Sequence, residues 1–341
     1  MQQISKMDHI IISVTDHDVQ THPIDEHVPF FVYMILYACY HIPCDFMPHP
    51  LGAQPLSLIL LWNHRRRSVE DPPNAVMELL TDHLIHPLCR LVDLEVDLRH
   101  RGILRPDVLQ RFAGACQHLS HLQRLLVATS LFHFGDWLPS LLHFAFWGGK
   151  LDTFGLVGEP PAGVGLPEMF LRLIEGRSQS CLRHLFLSLR LTSARCIAAV
   201  LQFLSTLSLE RCWLMFDDVP LQEPLSCSFE YRCCTLCYVA LSVCRTGLQT
   251  SSLCHVLDCL GKTGAFDTVR VLHIMATDNQ LNDDLWEELG YNHHHNKKKL
   301  GGVNNFRKWS VLKECTITAS NNPCQYPTSQ NMLPSFVSVF I

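Results

Sequence analysis

Residues 91–98 read Leu-Val-Asp-Leu-Glu-Val-Asp-Leu, and the last five alternate strictly between apolar and acidic residues. A period of two puts Leu94, Val96 and Leu98 on one side of an extended chain and Glu95 and Asp97 on the other, the pattern of a half-buried strand. Counted from Leu91, apolar residues fall at the first, fourth and sixth places. The same frame recurs at Leu122/Leu125/Val127, Leu141/Phe144/Phe146, Leu182/Leu185/Leu187, Leu204/Leu207/Leu209, Val269/Leu272/Ile274 and Leu312/Cys315/Ile317.

Helical patterns fill most of the gaps. Pro106 and Asp107 favour a helix start, and Leu109, Phe112, Ala113 and Cys116 follow at helical spacing. Pro167 opens a second helix carrying Phe170, Leu173 and Ile174. Ser193 caps a third with Cys196, Ala199, Val200 and Phe203. Ser252 caps a fourth with Leu253, Val256, Leu257 and Leu260, for which Gly261 is the natural stop. Asn282 caps a short fifth through Leu285, Trp286 and Leu289. With 48% hydrophobic residues the apolar frame is easily met, so the alternation of strand and helix carries the reading. It predicts an α/β fold, an irregular leucine-rich-repeat solenoid of short parallel strands alternating with helices. Another α/β sheet and a mostly helical fold are the competing architectures.

Three segments are expected. Residues 1–76 are irregular and rich in proline and histidine, 77–320 form the repeat-like domain, and 321–341 form a loose tail. The apolar run from Val28 to Cys39 is about a dozen residues, short of the roughly 20 that cross a bilayer. The start MQQISKMDHIIISVTDHD has no small-residue cleavage site, and most of the 16 cysteines sit in apolar stretches, where a thiol behaves as a small buried hydrophobe. An intracellular location, cytoplasmic or nuclear, is expected. A net charge of −5 offers no concentrated positive field for nucleic acid or an anionic membrane. The clusters Arg65–Arg67 and Lys297–Lys299 read as solvated charge.

The stretch Leu204-x-x-Leu207-x-Leu209-x-x-Cys212 resembles the cysteine-containing leucine-rich repeats of F-box adaptor proteins, including the divergent fungal type. The resemblance covers residues 85–320. It implies a protein-protein interaction module, possibly a substrate-recognition adaptor of a ubiquitin ligase with a Skp1-like partner. An F-box, a Leu-Pro followed by helices, is not visible in residues 1–76. In such a repeat the outward residues of the strands line the concave face, here Glu95, Asp97, His143, Ser188, Ser208 and His273.

No enzymatic chemistry is expected. There is no Gly-x-Ser-x-Gly, Gly-x-Gly-x-x-Gly or His-Glu-x-x-His. Gly261-Lys262-Thr263 has the tail of a phosphate loop, but Val256 stands where the first glycine belongs, and a helix C-terminus offers carbonyls to an anion. Cys227, Cys233, Cys234, Cys237 and Cys244 include one C-x-x-C pair, with Cys254 and His255 as completions, but read mainly as a buried helix or loop over residues 226–248. His83, His86 and Cys89 share a helical face without requiring a metal. No cofactor is predicted. The competing functions are an enzyme on another α/β fold, with its site at the carboxyl ends of the strands, and a small structural zinc-binding protein.

Overall fold

The computed structural model describes residues 9–15, 57–63, 72–85, 89, 91–98, 105–129, 137–148, 150–158, 180–189, 194–218, 235–282, 284–285, 309–324 and 337–340. The chain divides into two compact units, one of residues 1–161 with 178–182, the other of 162–177 with 183–341.

In the first unit the strands are β1 (His9–Thr15), β2 (Ser57–Asn63), β3 (Asp93–Leu98), β4 (Arg124–Thr129) and β5 (Thr153–Gly158). Each pairs in parallel with the next in chain order. Parallel neighbours need a crossover, and helices supply it: α1 (Pro72–Leu84), α2 (Pro106–Gln117) and α3 (Trp137–His143), with α1 packed on α2 and α2 on α3. The Pro106 start is borne out, and Leu109, Phe112, Ala113 and Cys116 are all buried. β1 and β2 lie in the segment that the sequence left without a fold.

The second unit holds β6 (His184–Leu189), α4 (Ala194–Leu204), β7 (Arg211–Met215), β8 (Tyr238–Ser242), α5 (Thr250–Leu260), β9 (Val271–Met275), β10 (Glu314–Thr318) and β11 (Val337–Phe340). Its strands also pair in parallel, in chain order. β11 gives a strand to the stretch expected to be a loose tail. Short parallel strands in chain order, alternating with helices, are the leucine-rich-repeat arrangement, and the predicted fold class holds.

Three predicted elements need correction. Leu141–Phe146 is not a strand. Trp137, Leu138, Leu141, Leu142 and Ala145 are buried at helical spacing, and α3 runs on into a wider turn at Phe144–Gly148. Apolar residues three apart satisfy a helix as well as the strand frame, and here the helix wins. The strand of this repeat is β5, where Leu151, Phe154 and Leu156 meet the same frame and are buried.

Leu204/Leu207/Leu209 is also misregistered. Leu204 ends α4, and the Ser205 and Thr206 hydroxyls donate to the Gln202 and Phe203 carbonyls at 2.7 Å, closing the last turn. The frame therefore starts at Leu209 and continues through Cys212 and Leu214, which places Cys212 inside the strand. The full pattern first assigned there reappears at Leu236-x-x-Val239-x-Leu241-x-x-Cys244. That is the third correction, because the 226–248 stretch holds β8.

Two helix limits shift as well. α5 begins at Thr250, with Ser252 inside its first turn, and it does not stop at Gly261. The chain winds on through Gly261–Ala265 and Phe266–Thr268, with a left-handed residue at Gly264 (φ 111°). A side chain at Gly261 would overlap the Phe266 ring, which stacks edge-on against Trp309 at 5.3 Å. The Pro167 helix and the cluster of His83, His86 and Cys89, except for Cys89 itself, lie outside the described side chains.

The repeat is defined by backbone bonds that the apolar frame only hints at. Val92 O accepts from both Gln123 N and Arg124 N, and Gln123 O from Asp152 N and Thr153 N. In the second unit Arg183, Glu210, Cys237 and Arg270 play the same double-acceptor part for the following strand. Past the strands, Asp218, Arg245, Asp278 and Asn321 occupy equivalent places with φ between 56° and 61°. The first three each donate a backbone N–H to the next repeat, at Cys244 O, Thr277 O and Ser320 O.

One residue after the last two, Asp278 and Asn321, stands an asparagine, Asn279 or Asn322, whose amide forms a polar rung between turns. Asn279 Oδ1 accepts from Thr246 N, Thr246 Oγ1 and Leu248 N, while its Nδ2 donates to Val243 O at 2.8 Å. Asn322 repeats the pattern, accepting from Asn279 N and Leu281 N and donating to Ala276 O and Ala319 O. In these stacked turns side-chain amides satisfy backbone groups that the strand pairing leaves over.

Candidate functional site

Since the first, fourth and sixth residues of each frame point inward, the third, fifth and seventh point outward. In the first unit this outward set is Asp93 and Glu95 on β3, Arg124, Leu126 and Ala128 on β4, and Thr153, Gly155 and Val157 on β5. Its centre is ionic. Arg124 reaches Asp93 at 2.7 Å and Glu95 at 2.9 Å, all three half-buried. Burial opposes the charge on Arg124, but the two carboxylates prevail and hold the guanidinium above its usual range.

The second unit presents rings and thioethers in the same positions. Trp213 on β7 lies 5.2 Å from Tyr238 on β8, and Tyr238 lies 5.4 Å from His273 on β9, centroid to centroid. Met215 and Met275 stand two residues further along β7 and β9, and Met275 is 38% exposed. Phe186 on β6 pairs with Trp213 in the strand register. All these side chains are only partly covered, whereas their inward neighbours Leu185, Cys212, Leu214, Val239 and Leu272 are at most 1% exposed.

The two ends of these strands differ in charge. Around their N-terminal ends stand Arg211, Arg270 and Lys313, with Glu314 and an Arg183–Glu210 pair at 3.7 Å. Past their C-terminal ends stand Asp217, Asp278 and the Asp218–Arg245 pair. That pair is two-pronged, at 2.7 and 3.1 Å, and Asp218 holds the Arg245 guanidinium above its usual range. Asp217 accepts from Ser242 Oγ and Cys244 N, and Asp278 from Asn321 Nδ2, all neutral donors.

Of the residues expected on a concave face, Glu95, Ser188 and His273 hold outward strand positions, and Asp97 falls at one by register. His143 does not, because it closes helix α3, and Ser208 does not, because it precedes β7. Sequence reasoning missed Trp213, Tyr238, Met215 and Met275. The signal was available: in the correct frame from Leu209, every second residue of Arg211–Met215 is outward.

The cysteine cluster resolves into structural roles where it is described. Cys237 Sγ donates to Glu210 O at 3.2 Å, and Cys244 lies within 3.5 Å of Ser242 Oγ and 3.3 Å of Thr277 Oγ1. Cys227, Cys233 and Cys234 lie outside the described residues. Among the described residues no group of three His, Cys, Asp or Glu could hold a metal ion. At Gly261-Lys262-Thr263, Lys262 pairs with Asp258 at 2.7 Å and Thr263 donates to Leu260 O, so this segment is helical packing. Among the described residues no helix is long and apolar enough to cross a membrane.

No family model matches the chain, and no curated protein matches it. Among solved structures it is similar to the crystal structure of the Rad7 and Elc1 complex in yeast, at 13% identity and a TM-score of 0.34, over 84% of this chain and 74% of that one.

Proposed function

We propose that the chain is a non-enzymatic protein-interaction module whose contact surface is the outward strand face of the second unit. The observation that carries this is the row Trp213–Tyr238–His273 with Met215 and Met275, all partly solvent-exposed. Aromatic and methionine side chains are enriched at interfaces, the rings because they bring large area at small entropic cost and methionine because its flexible thioether adapts to a partner's shape. An intracellular setting accords with Cys116, Cys244 and Cys315, which are buried thiols.

The finer reading is a substrate-recognition adaptor of a ubiquitin ligase, joined to a Skp1-like protein. It rests on the repeat resemblance, now carried by Leu236–Cys244. Quantitative affinity capture from cells tests both levels, comparing the wild type with W213A/Y238A. The expected result is a set of proteins lost by about tenfold or more with the variant while its circular dichroism is unchanged. Identical captured sets with both proteins would defeat the module reading. Capture without any Skp1-like protein would defeat only the adaptor reading.

A further inference from the structure

We infer that the segment recognised by this face is dipolar: a short extended stretch with an acidic end, an apolar anchor at its centre and a basic end. The inference rests on the binding-face reading and deepens it.

Charge and length define the segment. Among the described residues at the N-terminal ends of the strands, the positive groups Arg211, Arg270 and Lys313 outweigh Glu314, because Glu210 is already met by Arg183. At the C-terminal ends the bidentate pair sets Asp218 against Arg245, and among the described residues Asp217 and Asp278 add two further carboxylates, hydrogen-bonded to neutral donors. Between the two rims lie the rings of Trp213, Tyr238 and His273 and the thioether of Met275. From Arg211 to Met215 the strand advances four residues, roughly 13 Å at the rise of a strand, and Asp217 and Asp218 stand in the turn just past it. A peptide of similar length laid along the strands places its ends over opposite charges and its centre over the rings. A nucleic acid fits worse, since its backbone is negative throughout and would meet Asp217 and Asp278 at one end. Complementary rims of this kind fix register and orientation more than they add affinity.

Three fluorescein-labelled synthetic peptides with the same Trp-Leu centre test this by anisotropy on the full chain. One carries an acidic and a basic end, one two acidic ends, and one two basic ends. The dipolar peptide is expected to bind about fivefold to tenfold tighter than either control, an effect of the size that several exposed charge pairs give. R211E/R270E/K313E should erase that preference, and W213A/Y238A should abolish binding of all three. Added salt should narrow the gap between the peptides. Equal binding of all three peptides through Trp213 would overturn the dipolar inference and leave the binding face standing. No binding by any peptide would overturn the inference too, while the capture experiment decides the face by itself.

Discussion

The two units share one internal frame and present different outward chemistry. At the inward places of β4 and β5 stand Leu125, Val127, Phe154 and Leu156, and at those of β7 and β9 stand Cys212, Leu214, Leu272 and Ile274, all buried. One residue away the likeness ends. Arg124 is clasped by Asp93 and Glu95 in one unit, while Trp213 leans on Tyr238 in the other. The inward set builds the stack because each coil must bury its apolar face against the next. The outward set makes no such contribution and is free to read a partner. A self-satisfied ion cluster has little left to offer a ligand, because desolvating it costs more than a new contact returns. A half-covered ring keeps its apolar area available.

This separation of scaffold from surface can be broken most directly at Asn279. Its amide serves three donors and two acceptors inside the turn stack, and the residue is buried. Asn279→Ala strands several buried backbone groups, each costing about 1–3 kcal/mol. Urea unfolding should show a loss of roughly 3 kcal/mol or more. W213A/Y238A, on the same unit, should lose far less, since neither ring is fully buried. Comparable losses from the two changes would mean that the aromatic row belongs to the scaffold.

How much of this was legible in the sequence depended on which neighbours decided an element. The β3 and β4 frames were readable because alternation and burial agree over Leu94–Val96 and Leu125–Val127. α2 was readable for the same reason, with proline at its start. Errors arose where two periods share a spacing. Leu141/Phe144 is common to helix and strand, and Leu204/Leu207 belongs half to α4 and half to the connection after it. β8 was hidden because cysteine serves equally as a helix, strand or metal residue. The left-handed turns at Asp218, Arg245, Asp278 and Asn321 escaped notice, since none is a glycine and the unequal repeat lengths conceal their equivalence. Every error of register became an error of site. His143 and Ser208 were named in place of residues such as Trp213, because a frame shifted by a few residues exchanges the inward and outward sets.

A smaller effect tests whether the two scaffolds are equally dry. Cys116 in the first unit and Cys315 in the second are both buried, and burial raises the thiol pKa of each, that of Cys315 to about 12. The ordinary thiol value is 9.0. A group whose pKa rises on folding adds stability in full below its unfolded value and loses it as pH climbs towards the folded one. Stability should therefore hold below about pH 8 and then fall above pH 9, by about 1.4 kcal/mol per pH unit for each thiol at most. Urea midpoints at pH 8 and pH 10.5 measure the slope. C116V and C315V should each flatten it, and a slope that neither changes would show that water reaches both sites.

The smallest effect belongs to the ion cluster on the first unit's face. Arg124, Asp93 and Glu95 are each about a third exposed, so the solvent screens what they gain from one another. Arg124→Ala should cost at most about 1 kcal/mol at low salt and less in 0.5 M salt, because screening weakens the pairs that the variant has already lost. No dependence on pH is expected from Arg124 near neutrality. Its pKa is raised, so its contribution is complete below the unfolded value and would be lost only above the ordinary arginine range. The informative readout is the captured protein set. Arg124→Ala leaves Asp93 and Glu95 without their shared cation, and a face that is scaffold decoration should capture the same proteins as before. Loss of specific proteins with Arg124→Ala, matching the loss with W213A/Y238A, would show that the ionic and aromatic faces read one partner together, and the contrast between the units would then be one of division of labour rather than of use and disuse.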